Sequence, residues 1–285
     1  MKSRSFWITL LRVALVLNLA VGAMALPSAA ALAAAPGGGA STGNARVAII
    51  VGPVGALTDY YRGMAQAAAA EARRSTDDVV TVYSPDATWP RVKDALAGAS
   101  IVVYLGHGNG WLSRYSDVPR PQTQNGLGLN PVAGEGDGAH QYFGERYLER
   151  AVRLAPGAVV LLHHLCYASG AAEPGMAQPN LDVAVQRVDN FGAGWLAAGA
   201  TAVIAEAHGA PAWYIDALFQ RRGTVESMWR RNPNFHDHVL DFDSVRTSGA
   251  RLLLDPDRAS TGFYRSMVLR PGSTTRRRWR RTRTV

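Results

Sequence analysis

Short, mostly apolar runs constrain the fold of this chain more strongly than any other sequence feature. They occupy residues 46–51, 79–83, 101–105, 158–165 and 201–205. Runs of this length without polar alternation are typical of strands that are buried on both faces of a sheet. Helix-forming segments separate the runs, and this order predicts parallel βαβ units. The sequence therefore predicts an α/β fold with three layers, in which helices cover both faces of a mostly parallel sheet.

The C-terminal part of the predicted domain has a different pattern. Residues 251–254 and 263–269 are predicted as two strands around the turn Asp255-Pro256-Asp257. We expect them to form either an antiparallel edge of the main sheet or a small β appendage within residues 244–270. The folded domain is predicted to span residues 46–270, which is long enough for one sizeable core.

The segments between the strands are predicted as helices, apart from one long loop. The loop, residues 108–141, is rich in Gly, Pro and Asn and contains Trp111. A loop of this length in a compact domain is usually functional or disordered, and we predict a wall or lid of a substrate groove. The predicted helices span residues 58–73, 88–96, 142–154, 181–198, 210–220 and 224–229.

The first 33 residues have the features of an export signal. Lys2, Arg4 and Arg12 form a positive region, and the apolar segment that follows is shorter than the ~20 residues of a membrane-spanning helix. We predict a cleaved signal peptide at residues 1–33 and a flexible, Gly-rich linker at residues 34–45. These features and the composition favour a bacterial protein that is secreted or held at the cell surface.

The net charge of +8 comes from the two ends of the chain. The leader carries three cations and the tail, residues 271–285, carries six arginines, and neither contains an acid. The remainder is nearly neutral, which argues against a specific nucleic-acid surface. We predict that the tail is disordered and contacts anionic cell-surface polymer only weakly, through its charge.

Two of the apolar runs lead into residues that carry chemistry. The third run leads into Gly106-His107-Gly108, and the fourth leads into Cys166, the only cysteine in the chain. Ligands of open α/β sheets bind at the carboxyl ends of the strands, so we predict that His107 and Cys166 meet at one edge of the sheet. A single cysteine excludes an intrachain disulfide. In an exported protein a lone thiol is either an intermolecular link or a reactive group.

A histidine beside a cysteine is suited to acyl transfer. The thiolate is the nucleophile, and because free cysteine has a pKa of ~8.5, a neighbouring histidine is needed to activate it. The attacked carbonyl becomes an oxyanion, which requires preorganised N–H donors. Glycine beside the histidine allows close backbone approach, so the N–H groups of Gly108 and Cys166 are candidate donors. This chemistry requires neither a metal nor an organic cofactor.

The order of these motifs resembles the caspase/gingipain/legumain type of cysteine peptidase, including its CHAT-domain branch. A strand leads into Gly106-His107-Gly108, and about sixty residues later another strand ends in Cys166. Residues 191–205 resemble the helix and strand that follow the nucleophile in CHAT and gingipain-like domains. The resemblance covers roughly residues 46–220. It implies a caspase-like fold, His107 and Cys166 as the catalytic dyad, and Gly108 and Cys166 as the oxyanion donors.

The resemblance implies an exported cysteine endopeptidase that hydrolyses protein or peptide substrates. One departure from the family is His163-His164-Leu165, because a small or acidic residue often precedes the cysteine there. No motif fixes the specificity, and we consider Glu206, Trp111 and His164 as candidates for substrate binding.

Two other functions are compatible with the sequence. A catalytically inactive surface or binding module with the same fold would account for the arginine-rich tail and the aromatic residues of the long loop. A metal-dependent hydrolase would use His208, His236 and His238, although the sequence provides no complete set of ligands.

Overall fold

The computed structural model describes residues 45–220 and 223–270. The predicted signal peptide, the linker up to residue 44 and the predicted tail at residues 271–285 lie outside the described residues. Among the described helices, none has the length and hydrophobicity needed to cross a lipid bilayer.

Eight strands form one sheet and two further strands form a small antiparallel sheet. The main sheet has the order β2-β1-β3-β6-β7-β10-β9-β8, parallel from β2 to β7 and antiparallel from β7 to β8. The strands in chain order are β1 (Val47–Val51), β2 (Val79–Tyr83), β3 (Ile101–Leu105), β4 (Leu127–Leu129), β5 (Gln141–Phe143), β6 (Ala158–His163), β7 (Ala200–Glu206), β8 (Leu240–Asp243), β9 (Arg251–Leu254) and β10 (Arg265–Leu269).

Helices cover both faces of the main sheet, which confirms the predicted α/β architecture. One core lies against α2, α3 and α4, and the other lies against α1, α5 and α6. Alternate residues of β1, β3 and β6 enter opposite cores, so these strands are buried along their whole length. The helices are α1 (Thr58–Arg73), α2 (Trp89–Leu96), α3 (Glu145–Ala151), α4 (Leu181–Ala197), α5 (Ala212–Gln220) and α6 (Val225–Trp229).

The C-terminal strands extend the main sheet. Strand β10 pairs with β7, and β9 and β8 follow outward, so the antiparallel edge that we expected is present. The sequence did not predict β8.

One predicted helix is partly wrong. We expected a helix over residues 142–154, but Gln141–Phe143 forms β5 and pairs with Leu127–Leu129 in the predicted loop. The helix α3 begins only at Glu145. Gly144 separates the two elements, and a Cβ atom there would lie 2.5 Å from the carbonyl oxygen of Pro121. The pairing is tertiary, so local periodicity could not indicate it.

Candidate active site

The carboxyl ends of β3 and β6 lie side by side in the sheet. Leu105 at the end of β3 pairs with His163 at the end of β6. His107 follows two residues after Leu105, and Cys166 follows three residues after His163. The parallel register therefore brings the segments that carry the predicted dyad to the same edge of the sheet.

Gly108 is the point where the two segments touch. A Cβ atom on Gly108 would lie 2.3 Å from the carbonyl oxygen of Cys166 and 2.9 Å from its backbone nitrogen. Real Cβ contacts are not this short, so only glycine permits the approach. In the described part of the chain, neither the Gly108 N–H nor the Cys166 N–H donates to a carbonyl oxygen.

An open pocket of about 510 Å³ lies above this contact. It contains both members of the predicted dyad and the first residues of the predicted wall. Two loops supply most of its remaining lining, one following β3 and the other following β6. The lining residues are His107, Gly108, Asn109, Tyr115, Tyr142, Cys166, Glu173 and Pro174.

A buried tyrosine holds the backbone of His107. The Tyr104 hydroxyl lies 3.1 Å from the His107 carbonyl oxygen and 2.7 Å from the Gly128 carbonyl oxygen, and it accepts from the Gly128 N–H at 2.9 Å. Burial raises the pKa of Tyr104, so the hydroxyl remains protonated and available as a donor. The small β4–β5 sheet is thereby attached to the loop that carries the histidine.

A closed ring of hydrogen bonds fixes the loop beyond His107. The Trp111 N–H donates to Asn125 at 3.0 Å, and the Trp111 carbonyl accepts from Asn190 at 2.8 Å. Asn125 donates to Glu145 at 3.1 Å, and Arg246 donates to both Glu145 and Asn190, at 3.1 and 2.7 Å. Because these partners satisfy one another, we infer that the ring stiffens the wall of the pocket.

Burial favours the uncharged forms of both predicted catalytic groups. It raises the pKa of the Cys166 thiol to about 11, and the nearby Glu173 carboxylate adds to this rise. Burial also lowers the pKa of His107, with a further contribution from His140, whose ring centroid lies 4.4 Å away. At neutral pH the pair is therefore a thiol and a neutral imidazole.

Glu173 joins the two loops that line the pocket. Its carboxylate accepts a hydrogen bond from the Tyr115 hydroxyl of the first loop and another from the Tyr167 hydroxyl of the second, both at 2.7 Å. The negative charge of the Glu173 carboxylate also raises the pKa of the Cys166 thiol.

Glu206, a predicted substrate-binding residue, lies in a structural network. Glu206 is 3% exposed, and Arg265 contacts its carboxylate at 2.9 Å. Tyr214 and Asn234 also donate to this carboxylate. The Glu206 carboxylate therefore binds partners within the fold. Glu206 is not among the residues that line the pocket.

The other two predicted substrate-binding residues also lie outside the pocket lining. His164 leaves the strand with φ +60°, and its ring stacks on Tyr61 of α1 with 5.1 Å between the centroids. Trp111 is half-buried, and its backbone belongs to the hydrogen-bonded ring. Trp111 therefore stabilises the loop that follows β3 through its backbone hydrogen bonds.

The three histidines considered as metal ligands make separate contacts. His208 packs on Tyr264 with 4.7 Å between the ring centroids, and the His238 ring lies 3.0 Å from the Pro256 carbonyl oxygen. His236 lies 3.6 Å from Asp257. Within residues 45–220 and 223–270, no group of three or more potential ligands is arranged to hold a metal ion.

Sequence reasoning missed several residues that shape the pocket. Tyr104 lies inside a predicted strand, where an aromatic residue is typical of the core. Glu173 lies in the irregular loop that follows Cys166. The loop at residues 108–141 was predicted to form a pocket wall because it follows His107, and the same argument would have indicated the loop that contains Glu173. His140 and Tyr142 come to His107 only because β5 pairs with β4.

Comparisons with known proteins assign no family to this chain. No protein-family model matches it, and no curated protein matches it significantly.

Proposed function

We propose that this protein is an exported cysteine endopeptidase with a caspase-like fold, in which Cys166 is the nucleophile and His107 is the general base and acid. The observation that carries the proposal is the backbone contact between Gly108 and Cys166, above which both side chains line one pocket. A protein or peptide is the substrate, and the loops after β3 and β6 are the walls that receive it.

The proposed reaction begins from the uncharged pair. As Cys166 Sγ bonds to the substrate carbonyl carbon, the thiol proton passes to the His107 imidazole and the carbonyl electrons move to oxygen. The N–H groups of Gly108 and Cys166 are the proposed donors to this oxyanion. The intermediate then collapses, the C–N bond breaks, and His107 gives its proton to the leaving amine. Water, deprotonated by His107, hydrolyses the thioester and restores the thiol.

Digestion of a peptide library tests this function. We expect the wild-type protein to cut internal peptide bonds, and the Cys166→Ala and His107→Ala variants to cut them at least ~100-fold more slowly. His208→Ala is the matched control, because His208 follows a neighbouring strand and does not line the pocket. Mass spectrometry of the products reports activity and sequence preference together. Cleavage that persists in Cys166→Ala would exclude the proposed nucleophile.

The reactivity of Cys166 is expected to depend steeply on pH. Because its pKa is raised to about 11, the thiolate fraction should rise about tenfold per pH unit from pH 6 to 9.5. Alkylation by iodoacetamide, followed by mass spectrometry, measures this rise, and Cys166→Ala controls for other sites. A rate that levels off below pH 8 would show a preformed thiolate and contradict the uncharged pair.

A non-catalytic binding module with the same fold is the second candidate. The observation that favours it is the raised pKa of the Cys166 thiol, which leaves little thiolate at neutral pH. This function predicts that the wild-type protein cleaves no member of the library and that Cys166→Ala leaves the binding of peptides unchanged.

A further inference from the structure

Glu173 brings a negative charge into a pocket that is otherwise lined by uncharged groups at neutral pH. Its carboxylate accepts hydrogen bonds from Tyr115 and Tyr167, and both of these donors are neutral phenols. No arginine, lysine or histidine nitrogen of residues 45–220 and 223–270 lies within 4.0 Å of the carboxylate. The two hydroxyl groups that hold the carboxylate are neutral and form no ion pair with it.

Two arginines lie near the phenols that hold Glu173: Arg114 lies over the Tyr115 ring, 5.8 Å from its centroid, and Arg187 lies beside Tyr167. The Arg187 guanidinium lies over the Tyr167 ring, 4.6 Å from the centroid. It donates to the carbonyl oxygens of Leu112 and Gly170 at 2.8 and 3.2 Å. Arg187 therefore joins the two loops. Burial lowers the pKa of Arg187 and the Glu173 carboxylate opposes this change, but the two groups lie beyond ion-pair distance.

The carboxylate retains capacity for a further donor. An ionised carboxylate offers about four acceptor positions, and each oxygen of Glu173 receives one phenol hydroxyl. A guanidinium can pair with a carboxylate through two parallel hydrogen bonds, which adds both energy and geometric specificity. The Tyr142 ring, which lines the same pocket, also favours a cation over an anion, because aromatic faces attract positive charge.

We propose that Glu173 selects peptides that carry an arginine or lysine side chain next to the bond attacked by Cys166. This inference rests on the proposed function, because it assigns the substrate class of the same pocket. The cationic side chain forms the direct ion pair that no cation of the described residues makes with Glu173, and the two phenols hold the carboxylate in position.

Four fluorogenic peptides that differ in one side chain test this inference. They carry arginine, its uncharged isostere citrulline, lysine, or norleucine. We expect the wild-type kcat/KM to be about 10- to 100-fold higher for arginine than for citrulline, and for lysine than for norleucine. Equal rates for the charged and uncharged members of each pair would overturn the inference.

The variant Glu173→Gln separates selectivity from folding. We expect the ratio of kcat/KM between the arginine and citrulline peptides, and between the lysine and norleucine peptides, to fall to about one in this variant. The ratio is the measured quantity because removal of the negative charge near Cys166 lowers the pKa of the thiol and so changes the rate for every peptide. A variant that keeps the preference would overturn the inference. Asp94→Asn, which removes a 78% exposed carboxylate on α2, is the matched control and should keep it.

Calorimetric binding to Cys166→Ala distinguishes failure of this inference from failure of the proposed function. If the wild type cleaves nothing, tighter binding of the arginine peptide than of the citrulline peptide, lost on adding Glu173→Gln, supports the cation site without peptidase activity. Equal binding of the two peptides overturns the cation site. Cleavage without a charge preference leaves the peptidase standing and removes the role of Glu173.

Discussion

Replacement of Gly108 by alanine is expected to lower kcat/KM at least about 100-fold and the free energy of unfolding by about 1–3 kcal/mol. The added Cβ would lie 2.3 Å from the Cys166 carbonyl oxygen, which is a backbone atom and has no rotamer by which to move away. The segments that carry His107 and Cys166 must separate to admit it. A displacement of about 1 Å between reacting groups costs on the order of 100-fold in rate.

Gly63→Ala is the matched control for this substitution. Gly63 lies within α1, and a Cβ atom there would have no neighbour within 4 Å. We expect this variant to keep full activity and to gain about 0.5–1 kcal/mol of stability, because glycine is unfavourable inside a helix. Urea unfolding and peptide cleavage measure both effects. A Gly108→Ala variant with wild-type cleavage would show that the close contact is unnecessary.

Replacement of Arg265 by methionine is expected to destabilise the protein by about 3–5 kcal/mol. Arg265 is 2% exposed and contacts Glu206 at 2.9 Å and Asp255 at 2.8 Å. Its guanidinium also lies over the Trp229 ring, 4.0 Å from the centroid. Without it, two buried carboxylates lose their cation, and an uncompensated buried charge costs far more than an exposed one.

Two further variants identify the cause of this loss. Arg74→Ala removes a pair with Glu71 in which the arginine is 75% exposed, and we expect a change below about 1 kcal/mol. Addition of Glu206→Gln and Asp255→Asn to Arg265→Met removes the unpaired charges and should restore part of the stability. Chemical unfolding of the four proteins measures the differences. Equal losses for Arg265→Met and Arg74→Ala would contradict a buried ionic network.

The sequence predicted much of the fold because buried strands and helix faces require apolar residues, and these form recognisable patterns along the chain. Val79–Tyr83, Ile101–Leu105 and Thr58–Arg73 have the bounds expected from their patterns. The parallel order of the first strands followed from the alternation of strands and helices. The β4–β5 pairing was missed because it joins short segments with no periodicity of their own.

The candidate site was predictable only in part. His107 and Cys166 were indicated because each follows an apolar run, and the register of two parallel strands brings their segments together. Glu206 was predicted for substrate binding because it also ends a strand, but it does not line the pocket. Its partner Arg265 comes 59 residues later, in a segment that the sequence left as an edge or an appendage. Charge pairing over this distance leaves no local signal.

The hydrogen-bonded ring around Trp111 makes the wall of the pocket depend on the C-terminal part of the chain. The peptidase resemblance ends near residue 220, but Arg246, which closes the ring, comes from the turn after β8. A chain truncated at residue 220 would retain the thiol and the imidazole and lose the brace that anchors the entrance of the cleft. Assembly of the pocket wall therefore awaits the last quarter of the sequence, and a nascent chain carries Cys166 before this wall is braced.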